Sequence, residues 1–449
     1  MFMEKQYIEL YKAHHQLIKQ NSAAVINRSR DAAFAKFESL GFPTIKHENY
    51  LYTDLKPVFS PDYGLNFRRL SFPVNPYQTF RCDVPEIYSY QFFVVNDGFY
   101  PPKEEHNGNL PKGVIICGLK EASEKHPELV AQYYGKLTAP QNDALVAFNE
   151  TFAQDGFFMY VPENVHMDKP VQLVNIMRSD VDLLANSRNL IIIEKGAKAQ
   201  LLVCDHAMDD VNFVANRVSE VFVGENAVYE NYKLENTHDK TANLATVLID
   251  QKESSDTLMN IITLNNGISR NNIEVAMNGE KCEAELCGMM IGGGQQQIDN
   301  HTTIMHNKPN CHSNELFKYV LDDVSKGAFT GRIFVEKDAQ QTRAYQLNRN
   351  ILLSKRAKVR TRPQLEIYAD DVKCSHGATI GQIDEQALFY MRTRGISLPE
   401  ARLLLMYAFA ADVIENIRIP SLANRMKMLV EKRMRGELGM HEGCTLCMH

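Results

Sequence analysis

The chain reads as helix at both ends and as short strands between them. At the start, Tyr7, Leu10, Tyr11, His14, Leu17 and Ile18 fall at three- and four-residue spacing, which predicts one apolar helix face. Ser22 can cap a second helix carrying Phe34, Phe37 and Leu40, with Gly41 and Pro43 as its stop. The segment from His47 to Leu55 is polar and aromatic, and no spacing in it suggests catalysis. Residues 90–96 and 113–119 read as short strands within loop-rich chain. Residues 121–155 read as helix, broken near Ala139 and Pro140, with Ala144, Ala147, Phe148 and Phe152 as its stripe.

From Gly156 the texture changes for over two hundred residues. Short runs rich in β-branched and aromatic residues recur, such as GFFMYV, NLIIIE, GRIFVE and LEIYA. The turn tips KGAKA, GENAV, KESSD, GEKCE, NKPNC and EKDAQ return every 26 to 30 residues, with alanine, serine and cysteine around them. A period of this length, holding strand and turn with no room for a helix, predicts a β-helix of stacked coils. A two-sheet sandwich is the alternative, and Asn278-Gly279 and Asn265-Asn266-Gly267 are the hairpin signals it would use. A solenoid exposes an apolar face at each end, and the helices at the two chain ends are the expected caps.

Residues 384–395 return to helix and end at Gly395. Ser397, Pro399 and Glu400 then open another helix through a capping box. That helix, expected over 398–418, is apolar around most of its girth: Leu403, Leu404, Met406, Tyr407, Phe409, Ala410, Val413, Ile414 and Ile417. It should therefore lie between its own domain and something else. Pro420 ends it, and 421–435 forms a last helix whose basic face (Arg425, Lys427, Lys432, Arg433, Arg435) reads as solvated. These changes divide the chain into a mixed helical domain over 1–155, a β-helix over 156–383, a helical domain over 384–440 and a tail over 441–449. In the tail, Cys444 and Cys447 have C-x-x-C spacing and His441 and His449 flank them. A closed zinc site needs four ligands, so this is a weak metal candidate.

Composition narrows the function. The net charge of -6, from 49 basic and 55 acidic side chains, argues against a general nucleic-acid binder. The opening MFMEKQYIEL carries no export pattern, and the nine cysteines are odd in number and scattered, so reduced thiols in the cytoplasm are expected. The densest apolar runs, 189–193 and 403–411, are too short to span a bilayer. No G-x-S-x-G, H-E-x-x-H or phosphate-loop pattern is present, so no catalytic residue is assigned and an enzyme is not expected. Secreted polysaccharide lyases also use β-helices, but they carry an export signal and aromatic grooves, and this chain has neither that signal nor a tryptophan.

The chemistry concentrates in TRPQLEIYADDVKCSHGATIG, Thr361 to Gly381. An alternating strand is interrupted by Asp370 and Asp371, and then Cys374 and His376 follow two residues apart. In extended chain both lie on one face, about 7 Å apart. They suit shared ligation or a shared partner, and a buried thiol beside a hydrogen-bonded histidine is the bland alternative, which Val372 on the same face favours. Cys282, Cys287, His301, His306, Cys311 and His312 lie within the repeats, where successive coils could bring them together.

At these residues the sequence resembles a known family. PQLEIYADDVKCSHGATIGQIDEQALFYMRTRGI, from Pro363 to Ile396, is similar to the signature of the SufB/SufD proteins of iron–sulfur cluster assembly. ENYLYTDL (from Glu48), AFNETFAQDGFFMYVPENV (from Ala147) and ARLLLMYAFAADVIENI (from Ala401) support it, and length favours the SufD branch over the SufB-type paralogue. The resemblance implies a right-handed parallel β-helix between helical terminal domains. It implies a complex with a SufB-like chain and a SufC-like ABC ATPase, and it admits a homodimer when the chain is alone. Cys374 and His376 would face the SufB-like chain, either ligating a transient cluster or iron or only lining a structural interface. The ATPase would dock on the C-terminal helices, with Leu403, Met406, Tyr407, Phe409 and Ile414 as candidates. A reduced flavin in the complex is compatible with the family, although no motif here speaks for it.

Overall fold

The computed structural model describes residues 3–69, 75–80, 82–84, 87–102 and 110–438. The Cys444 and Cys447 tail therefore lies outside the described residues. From Phe157 onward each coil contributes one strand to each of two facing sheets. One sheet stacks the strands that begin at Val171, Lys198, Val228, Asp256, Glu283, His312, Thr342 and Val372; the other stacks those that begin at Phe157, Leu183, Phe213, Thr241, Ile268, Gln297, Lys326 and Lys358. All neighbours in these stacks are parallel, in a β-solenoid of about eight turns. Lys198 pairs with Val228, a coil of 30 residues, and Ala242 with Ile268, a coil of 26.

The repeated tips have a backbone cause. Gly196, Asn226, Ser254, Lys281, Asn310 and Gln341 adopt positive φ, between 55° and 67°. Each donates its N–H to a carbonyl in the next coil's tip: Glu225, Glu253, Glu280, Pro309, Gln340 and Asp371 respectively. These bonds continue the ladder around the corner, so the turn leaves these donors satisfied. Next to five of them sit Ala197, Ala227, Ser255, Cys282 and Cys311, all buried. Side chains stacked at a tight corner have to be small, which explains the alanine, serine and cysteine of the repeat.

The two hairpin signals mark corners instead. Gly267 and Gly279 each join a strand of one sheet to a strand of the other. A Cβ on Gly279 would stand 2.0 Å from the backbone nitrogen of Glu253, and one on Gly267 would stand 1.9 Å from the Asp239 carbonyl oxygen. Glycine is required there because the coil below approaches too closely for any side chain.

The terminal helices cover the faces of the sheets rather than capping both ends, contrary to the sequence expectation. Alternate residues of each strand point outward, and in this chain many are large and apolar. Leu202, Tyr232, Leu258, Ile262 and Met289 of the first sheet are buried beneath Leu403, Met406, Val413, Leu422, Met426 and Val430 of the C-terminal helices. Leu184, Val214 and Leu244 of the second sheet pack with helices Met3–Gln20, Arg30–Leu40 and Ala144–Phe152. What the helices supply is cover for apolar surface. The ENYLYTDL segment joins this layer: Arg270 bonds the Asn49 carbonyl at 2.6 Å and pairs with Asp299 at 2.6 Å, while its guanidinium lies 4.1 Å from the Tyr50 ring centre.

Strands Tyr90–Val95 and Ile115–Gly118 join the two sheets ahead of the first coil, so the sheets begin before Gly156. At the other end the last coil is open, with Tyr368 60% and Ile380 51% exposed. The helices after it are Glu385–Thr393, Leu398–Glu415 and Pro420–Arg435. The middle one stops three residues short of the expected Arg418, and Pro420 opens the last one as a first-turn proline. Nor is the basic face of that last helix simply solvated: Arg425 bonds the Asp83 carbonyl at 2.5 Å and Arg433 bonds the Leu264 carbonyl at 2.6 Å. No described helix is long and apolar enough to cross a membrane.

Candidate functional site

Cys374 and His376 stand on the last strand, Val372–Gly381, at the edge of the first sheet. In register, Cys374 lies beside Ala344 and His376 beside Gln346. Ala344 and Gln346 are buried and face the space between the sheets, whereas Arg343 and Tyr345 face out. Cys374 and His376 therefore continue the inward row into the final coil, where no further coil covers them. Cys374 is half-buried against Ile333, Val335, Ala339 and Ala344, and His376 is exposed. The reading of a buried thiol beside a hydrogen-bonded histidine does not describe this pair.

Burial pushes the Cys374 thiol up, and a backbone hydrogen bond at Ala344 opposes it only in part. The neighbouring imidazole contributes nothing to this balance. Successive same-face side chains on a strand are about 7 Å apart, too far at an exposed edge for a strong charge effect. Below His376, the row continues through Gln346 to Glu315, and Gln346 donates to the Glu315 carboxylate. Burial raises Glu315 to about 7, against the hydrogen bonds from Thr302 and Gln346.

The other soft ligands do not converge on this edge. Cys282 and Cys311 occupy adjacent tip corners and donate to the Lys252 and Gly279 carbonyls at 3.1 and 3.3 Å. Cys287 faces outward beneath the C-terminal helices, 3.1 Å from Asn416 Nδ2. His301 lies 3.1 Å from Asp299, and His306 is 2.9 Å from the Ser313 hydroxyl. Each has a local structural partner.

The expected ATPase-docking residues divide in two. Leu403, Met406 and Ile414 are buried against the first sheet and offer no surface, because that sheet's outward face takes one side of the helix. Tyr407 and Phe409 are half-buried. Leu404 is 41% exposed and, with Phe389 at 71% and Tyr390 at 58% on the preceding helix, carries the apolar surface left free.

A second group of soft ligands was not anticipated. Among the described residues, Cys82, Cys204 and His206 place three donor atoms within 4.8 Å of one another, all buried. Burial works against ionising Cys82, but the Cys204 thiol and the His206 imidazole outweigh it and draw Cys82 down to about 5. The hydrogen bond with Cys82, and then burial, push Cys204 well up. Cys204-Asp205-His206 repeats the Cys-x-His spacing of Cys374-Ser375-His376, and that was the available signal. Cys82 carried none, since only folding brings it there.

Comparison with known proteins places this geometry in context. Residues 1–173 match the SufBD protein N-terminal region and 176–409 match the SufBD core domain of the SUF system for FeS cluster assembly. A SufBD family iron–sulfur cluster assembly protein of Synechocystis is 28% identical over 426 residues, 93% of each chain. The iron–sulfur cluster assembly protein SufD of Escherichia coli is 28% identical over 399 residues, 88% of this chain and 90% of its own. SufD of Bacillus subtilis is 26% identical over 331 residues, covering 72% and 75%. With both family regions matched along a parallel β-solenoid, this chain belongs to the SufBD family of iron–sulfur cluster assembly proteins.

Proposed function

We propose that this chain is a SufD-type scaffold subunit whose last strand meets a SufB-like chain, with Cys374 and His376 contributing ligands to iron or a nascent cluster held between them. One observation carries this reading: a thiol and an imidazole share the inward row of an edge strand that no further coil covers. Clusters generally take four protein ligands, mostly thiolates with histidine as an occasional substitute. Two are offered here, so the remainder must come from across the edge. A partner strand could add to the sheet by backbone pairing, which exposed edges favour. Iron and sulfide are cargo in this reading, and the chain itself catalyses nothing.

The second contact is with a SufC-like ATPase, for which the free apolar surface of Phe389, Tyr390 and Leu404, flanked by Tyr407 and Phe409, is the docking face. ATP hydrolysis would belong to that partner. The test is anaerobic co-purification with SufB-like and SufC-like chains, followed by iron and sulfide assays. Cys374→Ser and His376→Ala should assemble the full complex and hold less iron. Normal iron in both variants would leave this chain a structural partner only and move ligation to the other subunit.

A further inference from the structure

Away from the open edge, the outer face of the first sheet carries a group of side chains that the scaffold role does not use. Cys204 and His206 point outward from strand Lys198–Ala207, beside the outward Val174, Leu234 and Ile176 of the neighbouring strands. The segment with Phe80, Cys82 and Asp83 crosses over them. Helix Pro420–Arg435 holds that segment down through the bond from Arg425 to the Asp83 carbonyl. Cys82, Cys204 and His206 are 4%, 0% and 1% exposed.

The geometry is that of a ligand set. Cys82 Sγ lies 3.4 Å from His206 Nε2. Zinc bonds of about 2.3 Å to sulfur and about 2.0 Å to nitrogen, at a tetrahedral angle, put those two atoms about 3.5 Å apart. A carboxylate also stands behind the imidazole, at ion-pair rather than hydrogen-bond distance. Its Nδ1 faces the Asp83 carboxylate at 3.8 Å, and Asn236 donates to that carboxylate at 2.6 Å. A carboxylate behind a histidine whose other nitrogen meets the metal is the usual outer support of a zinc ligand. Charge agrees: two thiolates and a dication make a neutral group, the form that burial tolerates. Two sulfurs from distant parts of the sequence and one imidazole thus place their donor atoms within 4.8 Å of one another.

We propose that Cys82, Cys204 and His206 bind a thiophilic divalent cation of the zinc class, with Asp83 positioning the imidazole and the fourth position left to water or another donor. The ion ties the crossing segment to the solenoid, and because the unfolded chain has no such site, binding adds to folding stability. This site is separate from the open edge and does not depend on what Cys374 and His376 do.

The test uses the full chain with Cys444→Ser and Cys447→Ser, so that the tail adds no thiolate, purified anaerobically under reducing conditions. Elemental analysis should find zinc in the isolated protein, and iron in its place would overturn the zinc-class assignment. Cobalt titration should give a stoichiometric thiolate-to-cobalt charge-transfer band. Cys204→Ser and His206→Ala should abolish it, and Asp83→Asn should weaken cobalt binding about tenfold. A chelator should lower the melting temperature of the parent and leave the Cys204→Ser variant unchanged. If that variant fails to fold, alkylation of the parent decides: Cys82 and Cys204 should be protected with metal and labelled once it is removed. A parent that takes up no cobalt, a band that survives both substitutions, equal labelling with and without metal, or a Cys82–Cys204 disulfide in freshly isolated protein would each overturn the site.

Discussion

At the scale of single residues, exposure separates function from packing. His376 is exposed and Cys374 only half-buried, so neither substitution leaves a buried polar group without a partner. Cys374→Ser and His376→Ala should each shift unfolding free energy by under about 1 kcal/mol in urea titration while lowering iron in the complex. Glu315 behaves differently. Its folded-state value of about 7 lies above the ordinary 4.5, so the native protein holds a proton that the unfolded chain releases. Its contribution is therefore complete below about pH 4.5 and is lost as pH rises through about 7, a change on the order of 3 kcal/mol. Unfolding measured across that window should show the slope in the parent and a flatter line in Glu315→Gln. Cys374 and His376 were legible in sequence because two residues on one strand suffice to define their relation. Glu315 was not, since its burial comes from the coils above and below it.

At the scale of elements, each strand serves two faces and the helices follow from that. Met406 lies in the layer between helix Leu398–Glu415 and the first sheet, so Met406→Ala should cost about 2–5 kcal/mol in denaturant titration. Leu404→Asp, on the free side, should leave stability unchanged and abolish co-purification with the SufC-like ATPase. Retained ATPase binding by the folded Leu404→Asp protein would remove that docking face. The apolar girth of this helix was plain in the sequence, but which side meets its own domain was not. A helix with apolar residues all round has no stripe to orient it, and only the sheet's outward row decides. The corners carry a comparable test. Gly279→Ala forces a Cβ against the Glu253 backbone nitrogen, and overpacking of this kind should cost roughly 1–3 kcal/mol, read as a lower urea midpoint.

At the scale of the whole molecule, the solenoid is finished on its faces and open at one end. The first coil is met by strands Tyr90–Val95 and Ile115–Gly118, while the last presents the edge strand Val372–Gly381 with Ile380 exposed, and Tyr368 exposed in the turn before it. An apolar, unpaired edge invites association. In sedimentation velocity the isolated chain should form a concentration-dependent dimer, and Ile380→Lys should return it to monomer and weaken pairing with a SufB-like chain. An unchanged dimer in that variant would place self-association elsewhere.

The sequence by itself determined the coil, its length and its small-residue corners, because these repeat locally and each coil meets the same constraint. It also determined that Cys374 and His376 share a face, through the two-residue period of a strand. Only the tertiary structure decided that the helices lie on the sheets and leave the last coil bare, because an outward apolar row becomes a surface only when strands are stacked. It alone brought Cys82 to Cys204 and His206, since a site assembled from a crossing segment and a strand leaves no spacing in the chain to read.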